Sequence, residues 1–139
     1  MQERMTHAEF LGVLHGEALA AAYASMDLFV FPSHTDTFGN VVLEALASGV
    51  PAIVTPDGGP RYIVHEGQTG HIVPDEGFTA AIASLIPDSA KPAQAKLAAM
   101  RAAARAYALT ASWDAVFEGV YTGYEGILPA PHELAAAAS

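Results

Sequence analysis

The chain reads as an α/β domain built on a parallel sheet with helices packed on its faces. Three observations predict this. Short apolar strands alternate with stretches of helical periodicity, the order that parallel sheets require. Two of the strands run into glycine turns, at Gly39 and at Gly58 and Gly59, and each turn opens a helix. An acid, Asp36, follows one strand, and a second acid, Glu44, lies eight positions on inside the next helix. Open α/β sheets bind ligands at that carboxyl end of their strands.

Taken in order, residues 9–12 are the first strand candidate and 17–26 the first helix, with Leu19, Ala22, Tyr23 and Met26 as its apolar stripe. Residues 28–31 form the second strand. The helix after Gly39 runs to Ser48, where Gly49 and Pro51 give a C-terminal stop. A third strand at 52–55 leads into the turn P-D-G-G-P and a short helix at 60–64. Residues 70–73 read as a fourth strand and 78–86 as a helix. An Ala-rich helix at 92–109 turns Leu97, Met100, Ala104 and Tyr107 inward, with Pro92 in its first turn. Ser112 caps a last helix whose Trp113, Val116, Phe117, Val120, Tyr121 and Tyr124 share one stripe. The domain is expected to span 1–128, with a frayed, disordered tail at 129–139.

Composition bounds the function. A chain of 139 residues with 52% hydrophobic and 15% charged residues is globular and can bury an ordinary core. No apolar run reaches the ~18 residues of a membrane span, and the first ten residues lack the order of a signal peptide. The absence of cysteine excludes disulfides and thiolate metal sites and fits a cytoplasmic protein. Six Lys and Arg stand against fifteen Asp and Glu, so no basic face for nucleic acid is visible. The same imbalance is awkward for a phosphorylated ligand, because the carboxyl edge offers only Arg61 as a nearby cation.

Glu44 sits in the helix N-V-V-L-E-A-L-A, which is apolar on nearly every side. A carboxylate in such a helix is either solvated on its one open face or paired, since burial without a partner is costly. It can also accept both hydroxyls of a vicinal diol. Asp36 precedes the helix, where an acid is favoured by the helix dipole alone. Gly39 lets the N–H groups of Phe38, Gly39 and Asn40 point toward the cleft, and helix starts bind anions through such groups without a Lys or Arg. Gly58 and Gly59 allow close backbone approach in the same way. His34 is a loop residue that either touches a ligand or is simply exposed. The remaining histidines, His7, His15, His65, His71 and His132, lack metal-ligand spacing, and no metal site is expected.

The run F-V-F-P-S-H-T-D-T-F-G-N-V-V-L-E-A-L-A-S-G-V-P-A-I-V-T-P-D-G-G-P resembles the donor-binding half of retaining GT-B glycosyltransferases of group 1, family four. Those proteins carry an acid–seven residues–acid pattern after an F-x-P-S strand, then L-E-A-x-A-x-G-x-P and a Gly-Gly loop. The likeness runs from about residue 10 to 73. It implies a partial Rossmann-like sheet of about four strands and transfer of a sugar from a nucleoside diphosphate to an acceptor hydroxyl with retention. Glu44 would hold the ribose of the nucleotide-sugar donor. Asp36 would position the transferred sugar, and Phe38, Gly39, Asn40, Gly58 and Gly59 would line the donor site. No metal or other cofactor is implied.

Two departures stand out. The family commonly has Glu where this chain has Asp36, one methylene shorter. The resemblance also implies a missing acceptor-binding N-terminal domain and missing early strands, with the diphosphate-binding cations on them. The isolated chain is therefore expected to lack full activity, and the full-length enzyme to be cytoplasmic or peripheral to the membrane. The strand at 28–31 would then show an open edge, covered by the segment around Phe10 or by a second copy in a homo-oligomer. Alternative readings are a non-catalytic nucleotide-sugar-binding or oligomerising remnant, and another GT-B enzyme such as a sugar-nucleotide epimerase.

Overall fold

A computed structural model describes residues 7–86 and 91–111. The last helix expected from Ser112 onward and the tail at 129–139 lie outside the described residues. Three short strands, β1 (Phe29–Phe31), β2 (Ala52–Val54) and β3 (Gly70–Ile72), form a parallel sheet in the order β1-β2-β3. Their register aligns Phe31 with Val54 and Val54 with Ile72, so all three strands end on one line. Between and after them lie α1 (Gly16–Ala24), α2 (Asn40–Ala47), α3 (Phe78–Leu85) and α4 (Lys91–Thr110). Two 3-10 turns, Pro60–Tyr62 and Asp75–Gly77, complete the path, the first of them where the sequence predicts a short helix.

The period-two alternation of a strand builds the core. In fully buried β2, Ala52 and Val54 face Val42 and Leu46 of α2, while Ile53 faces Phe78, Ala81 and Leu85 of α3. Helices therefore cover both faces of the sheet, the condition for parallel strands to be stable. A third cluster joins Tyr23 of α1 to Ala45 and Val50, with Leu19, Met26 and Phe29 against it. Helix α4 contributes Ala104 to one face and Met100 to the other, with Leu97 also buried, as the spacing predicts.

Helix α4 closes the edge of the sheet from which the strands start. Arg101 donates to the carbonyl of Met26 at 3.2 Å and reaches Asp27 at 3.3 Å, just before β1. Arg105 donates to the carbonyl of Ala47, the last residue of α2. Both cations neutralise helix C-termini, where unpaired carbonyls concentrate partial negative charge. With that edge closed, the opposite edge, where the strands end, is left to the loops.

The expected first strand is not one. Residues 9–12 are irregular, Phe10 and Leu11 are half exposed, and Val13 is 84% exposed. Gly12 and Gly16 take positive φ values of 69° and 55°, which breaks extended backbone on the way into α1. The sheet thus has three strands among the described residues instead of four. The segment around Phe10 does not cover β1, whose outer side pairs with nothing among the described residues and whose Val30 is exposed. Among the described residues no helix is long and apolar enough to cross a membrane.

Candidate functional site

Three loops leave the carboxyl edge of the sheet, after Phe31, Val54 and Ile72. The first is folded around the Asp36 carboxylate. Its Oδ1 accepts the N–H of Phe38 at 2.9 Å and that of Gly39 at 2.6 Å. The Asp36 N–H in turn reaches Ser33 Oγ at 3.3 Å. Two of the three N–H groups expected to face the cleft are therefore already bound to Asp36. A carboxylate fixing its own following turn in this way is a local alternative to regular backbone pairing.

The glycines of the second loop seat it on the first. Gly59 donates its N–H to the Asp36 carbonyl at 2.9 Å. A Cβ on Gly59 would stand 2.6 Å from the Thr37 carbonyl carbon and 2.8 Å from Phe38 Cα; on Gly58 it would stand 2.5 Å from the Asp36 oxygen. The close approach that these glycines permit is that of the neighbouring loop's backbone. Gly39 has φ 89° and lies against Pro60 and Ile63, so the turn that opens α2 is locked from the same side. Buried Thr55 adds a 2.5 Å hydrogen bond to the Ser33 carbonyl. Asp36, Phe38, Gly39, Gly58 and Gly59 are thus brought together, with the Phe38 ring left 55% exposed above them.

Asn40 and Glu44 stand apart from that unit, one helical turn from each other on α2 and both exposed. Glu44 lines an open groove of about 330 Å³ between α1 and α2, with Gly16, Leu19, Ala20, Tyr23, Ala47 and Ser48. Tyr23 is only 7% exposed. Burial, and then the Glu44 carboxylate beside it, push the Tyr23 phenol up to about 12. The exposed carboxylate of Glu44 is therefore backed by a phenol that stays protonated throughout the physiological range.

His34 is exposed, yet both of its ring nitrogens are engaged. Nδ1 lies 2.8 Å from Asp57 Oδ2 and Nε2 lies 3.0 Å from Asp75 Oδ1. The hydrogen bond to Asp57, followed by the charge of Asp75, holds the imidazole above its usual pKa. His34, Asp57 and Asp75 each fall at the third position past a strand end, and the in-register strands set those positions side by side. The sequence carries that signal only as equal offsets from three strand ends. It becomes visible once the ends are placed. Arg61 lies on the loop after β2, where it donates to the Pro56 carbonyl at 3.0 Å and stacks on exposed Tyr62 at 4.6 Å.

A parallel sheet with helices on both faces and its carboxyl edge carrying glycine turns and acids defines a Rossmann-like α/β domain, a class that binds its ligands at that edge. Comparison with known proteins narrows the class. Residues 1–88 match the family described as glycosyl transferases group 1, and the chain belongs to that family. A GDP-mannose-dependent alpha-mannosyltransferase of Mycolicibacterium smegmatis is 40% identical over 128 residues, 92% of this chain and 33% of that protein. The protein of the same name from Mycobacterium tuberculosis is 37% identical over 127 residues, 91% of this chain and 32% of that protein. The chain therefore spans about a third of the length of these curated relatives.

Solved structures agree on the fold. Sucrose-phosphate synthase from Thermosynechococcus elongatus superposes with a TM-score of 0.70 at 27% identity, over 86% of this chain and 30% of that one. Anabaena HepE, solved with UDP and glucose, gives a TM-score of 0.68 at 23% identity over 90% of this chain and 34% of that one. The architecture is that of the GT-B glycosyltransferases.

Proposed function

We propose that this chain is the donor-binding part of a retaining glycosyltransferase that moves a sugar from a nucleoside diphosphate to an acceptor hydroxyl. The observation that carries the reading is the pairing of a packed loop around Asp36 with an exposed carboxylate, Glu44, on the helix that the loop opens. Glu44 takes the ribose hydroxyls at the mouth of the α1–α2 groove. Asp36, with Oδ1 committed to Phe38 and Gly39, presents Oδ2 to a hydroxyl of the donor sugar. Gly58 and Gly59 hold that presentation fixed, and Asn40 offers its amide at the start of α2 to the phosphates.

No metal ion is required in this scheme. Helix starts and cations stabilise the departing diphosphate as charge develops on it. Arg61, on the loop after β2, supplies one such cation. The mannosyltransferase names of the relatives support GDP-mannose as the first donor to try, with the acceptor bound by a separate domain.

Isothermal titration of the chain with GDP-mannose, GDP and UDP tests the reading. Binding of the guanosine compounds is expected, and no heat with any of the three would sink the claim that this chain binds a donor by itself. Glu44→Ala should lose at least about tenfold in affinity, since a hydrogen bond to a charged group contributes about 1.5–3 kcal/mol. Unchanged affinity in that variant would remove Glu44 from the ribose.

The open edge of β1 favours a second reading, in which two copies pair strand to strand and the chain serves as a binding or oligomerising unit without transfer. Light scattering that shows a monomer at all concentrations counts against it.

A further inference from the structure

We propose that His34 is a positioning residue whose imidazolium fastens the Asp36 loop to the loops after β2 and β3, so that donor binding is tuned by a single proton. The inference rests on the donor-site reading above. It starts from the count of donors on an imidazole. The neutral ring has one N–H and one lone pair, and only the imidazolium can donate from both nitrogens. Here Nδ1 meets Asp57 at 2.8 Å and Nε2 meets Asp75 at 3.0 Å, so the three-loop bridge exists only in the protonated form. Loss of the proton turns one nitrogen's lone pair toward a carboxylate oxygen. It also leaves Asp57 and Asp75 facing each other across a neutral ring.

The consequence reaches the donor loop through short covalent paths. His34 lies two residues before Asp36. Asp57 precedes Gly58 and Gly59, which pack on the Asp36–Phe38 backbone, and Asp75 opens the 3-10 turn Asp75–Gly77. Releasing either arm removes one tie between the Asp36 loop and its neighbours, and leaves Gly59 on the Asp36 carbonyl and Thr55 on the Ser33 carbonyl to hold it. Asp36 has its Oδ1 bound to its own turn, and Arg61 is occupied by the Pro56 carbonyl. Among the described residues, Asp57 and Asp75 meet the ring and Glu76 follows Asp75 along the chain, so the surroundings are acidic and favour the proton. As an exposed network the bridge adds little to global stability. Its effect is on the placement of loops that carry the donor-binding groups.

Two measurements separate this role from a merely structural one and from failure of the donor-site reading. Titration of the intact chain by NMR should show the His34 ring titrating above the ordinary imidazole value of about 6.5. The amide signals of Phe38, Gly39, Gly59 and Gly77 should move with the same midpoint. Asp57→Asn and Asp75→Asn should each lower that midpoint, and His34→Gln should abolish the coupled amide shifts while leaving the thermal midpoint close to wild type. A ring that titrates at its ordinary value, or amides that do not follow it, overturns the proposal. GDP-mannose affinity should fall as pH rises through the same midpoint in the wild type and stay flat in His34→Gln. A wild-type affinity that is equally flat also overturns it. If the chain binds no donor at any pH, the claim that it binds a donor by itself fails while the NMR titration still decides whether the bridge exists.

Discussion

Replacing Gly59 with Ala isolates the contact on which the Asp36 loop depends. Gly59 has φ −71° and ψ −37°, a conformation that alanine adopts freely, so the substitution brings no backbone strain of its own. What it brings is a methyl 2.6 Å from the Thr37 carbonyl carbon and 2.8 Å from Phe38 Cα. Carbon pairs rest near about 3.5 Å, so the two loops must part by about 1 Å. These are backbone atoms and cannot rotate away as a side-chain tip would. Overpacking of this kind costs about 1–3 kcal/mol. The displaced hydrogen bond from Gly59 to the Asp36 carbonyl costs about 1 kcal/mol more.

Against this stands a gain of about 0.4–1 kcal/mol, because alanine restricts the unfolded chain more than glycine does. The net expectation is a destabilisation of about 1–3 kcal/mol, together with displaced amide signals for Phe38 and Gly39. Denaturant unfolding with the slope held constant reads the first, and a two-dimensional amide spectrum reads the second. Gly12→Ala serves as a reference, since its Cβ would meet nothing within 4 Å and its φ of 69° isolates the cost of backbone strain alone. A Gly59→Ala protein with wild-type stability and unmoved Phe38 and Gly39 amides would refute the proposed packing of the two loops.

The remaining predictions concern the scaffold and its response to pH. Thr55→Val should cost about 1–2 kcal/mol in denaturant unfolding, because the Ser33 carbonyl loses its 2.5 Å donor in a buried setting. Met100→Ala should cost about 2–5 kcal/mol by the same assay, as its side chain is 2% exposed beneath Ile53 and α3. Stability should also fall in strong alkali. The folded Tyr23 phenol holds its proton to about 12 while an unfolded one releases it near 10, so the unfolded state binds fewer protons in that window. Stability then drops with rising pH, by about 1.4 kcal/mol per unit between those values, and is untouched by this group below them. Tyr23→Phe should remove that slope from unfolding curves taken across the window.

What could be read directly from the residues follows from local periodicity. The apolar stripe of Leu97, Met100 and Ala104, the buried run of β2 and the glycine stop after Ala47 are fixed by which side chains seek the interior and which backbone angles each residue tolerates. The resemblance to group 1 glycosyltransferases was likewise legible, because it rests on motif spacing along one continuous stretch. Residues 9–12 show the limit of such reading. Their apolar character suits a strand, but a strand also needs a partner, and the glycine-bounded segment pairs with none among the described residues.

Only the tertiary structure decided what the polar groups at the carboxyl edge do. Asp36 alone reads as an acid near a helix start; folding turns one of its oxygens onto its own loop. Gly58 and Gly59 alone read as a flexible turn; folding presses a second backbone against them. His34, Asp57 and Asp75 are far apart along the chain, and the register of three parallel strands makes them neighbours. Side-chain periodicity is a property of nearby residues and survives in the sequence. The partner of a carboxylate depends on which loop lies beside it, and that is set only when strands align and the core beneath them closes.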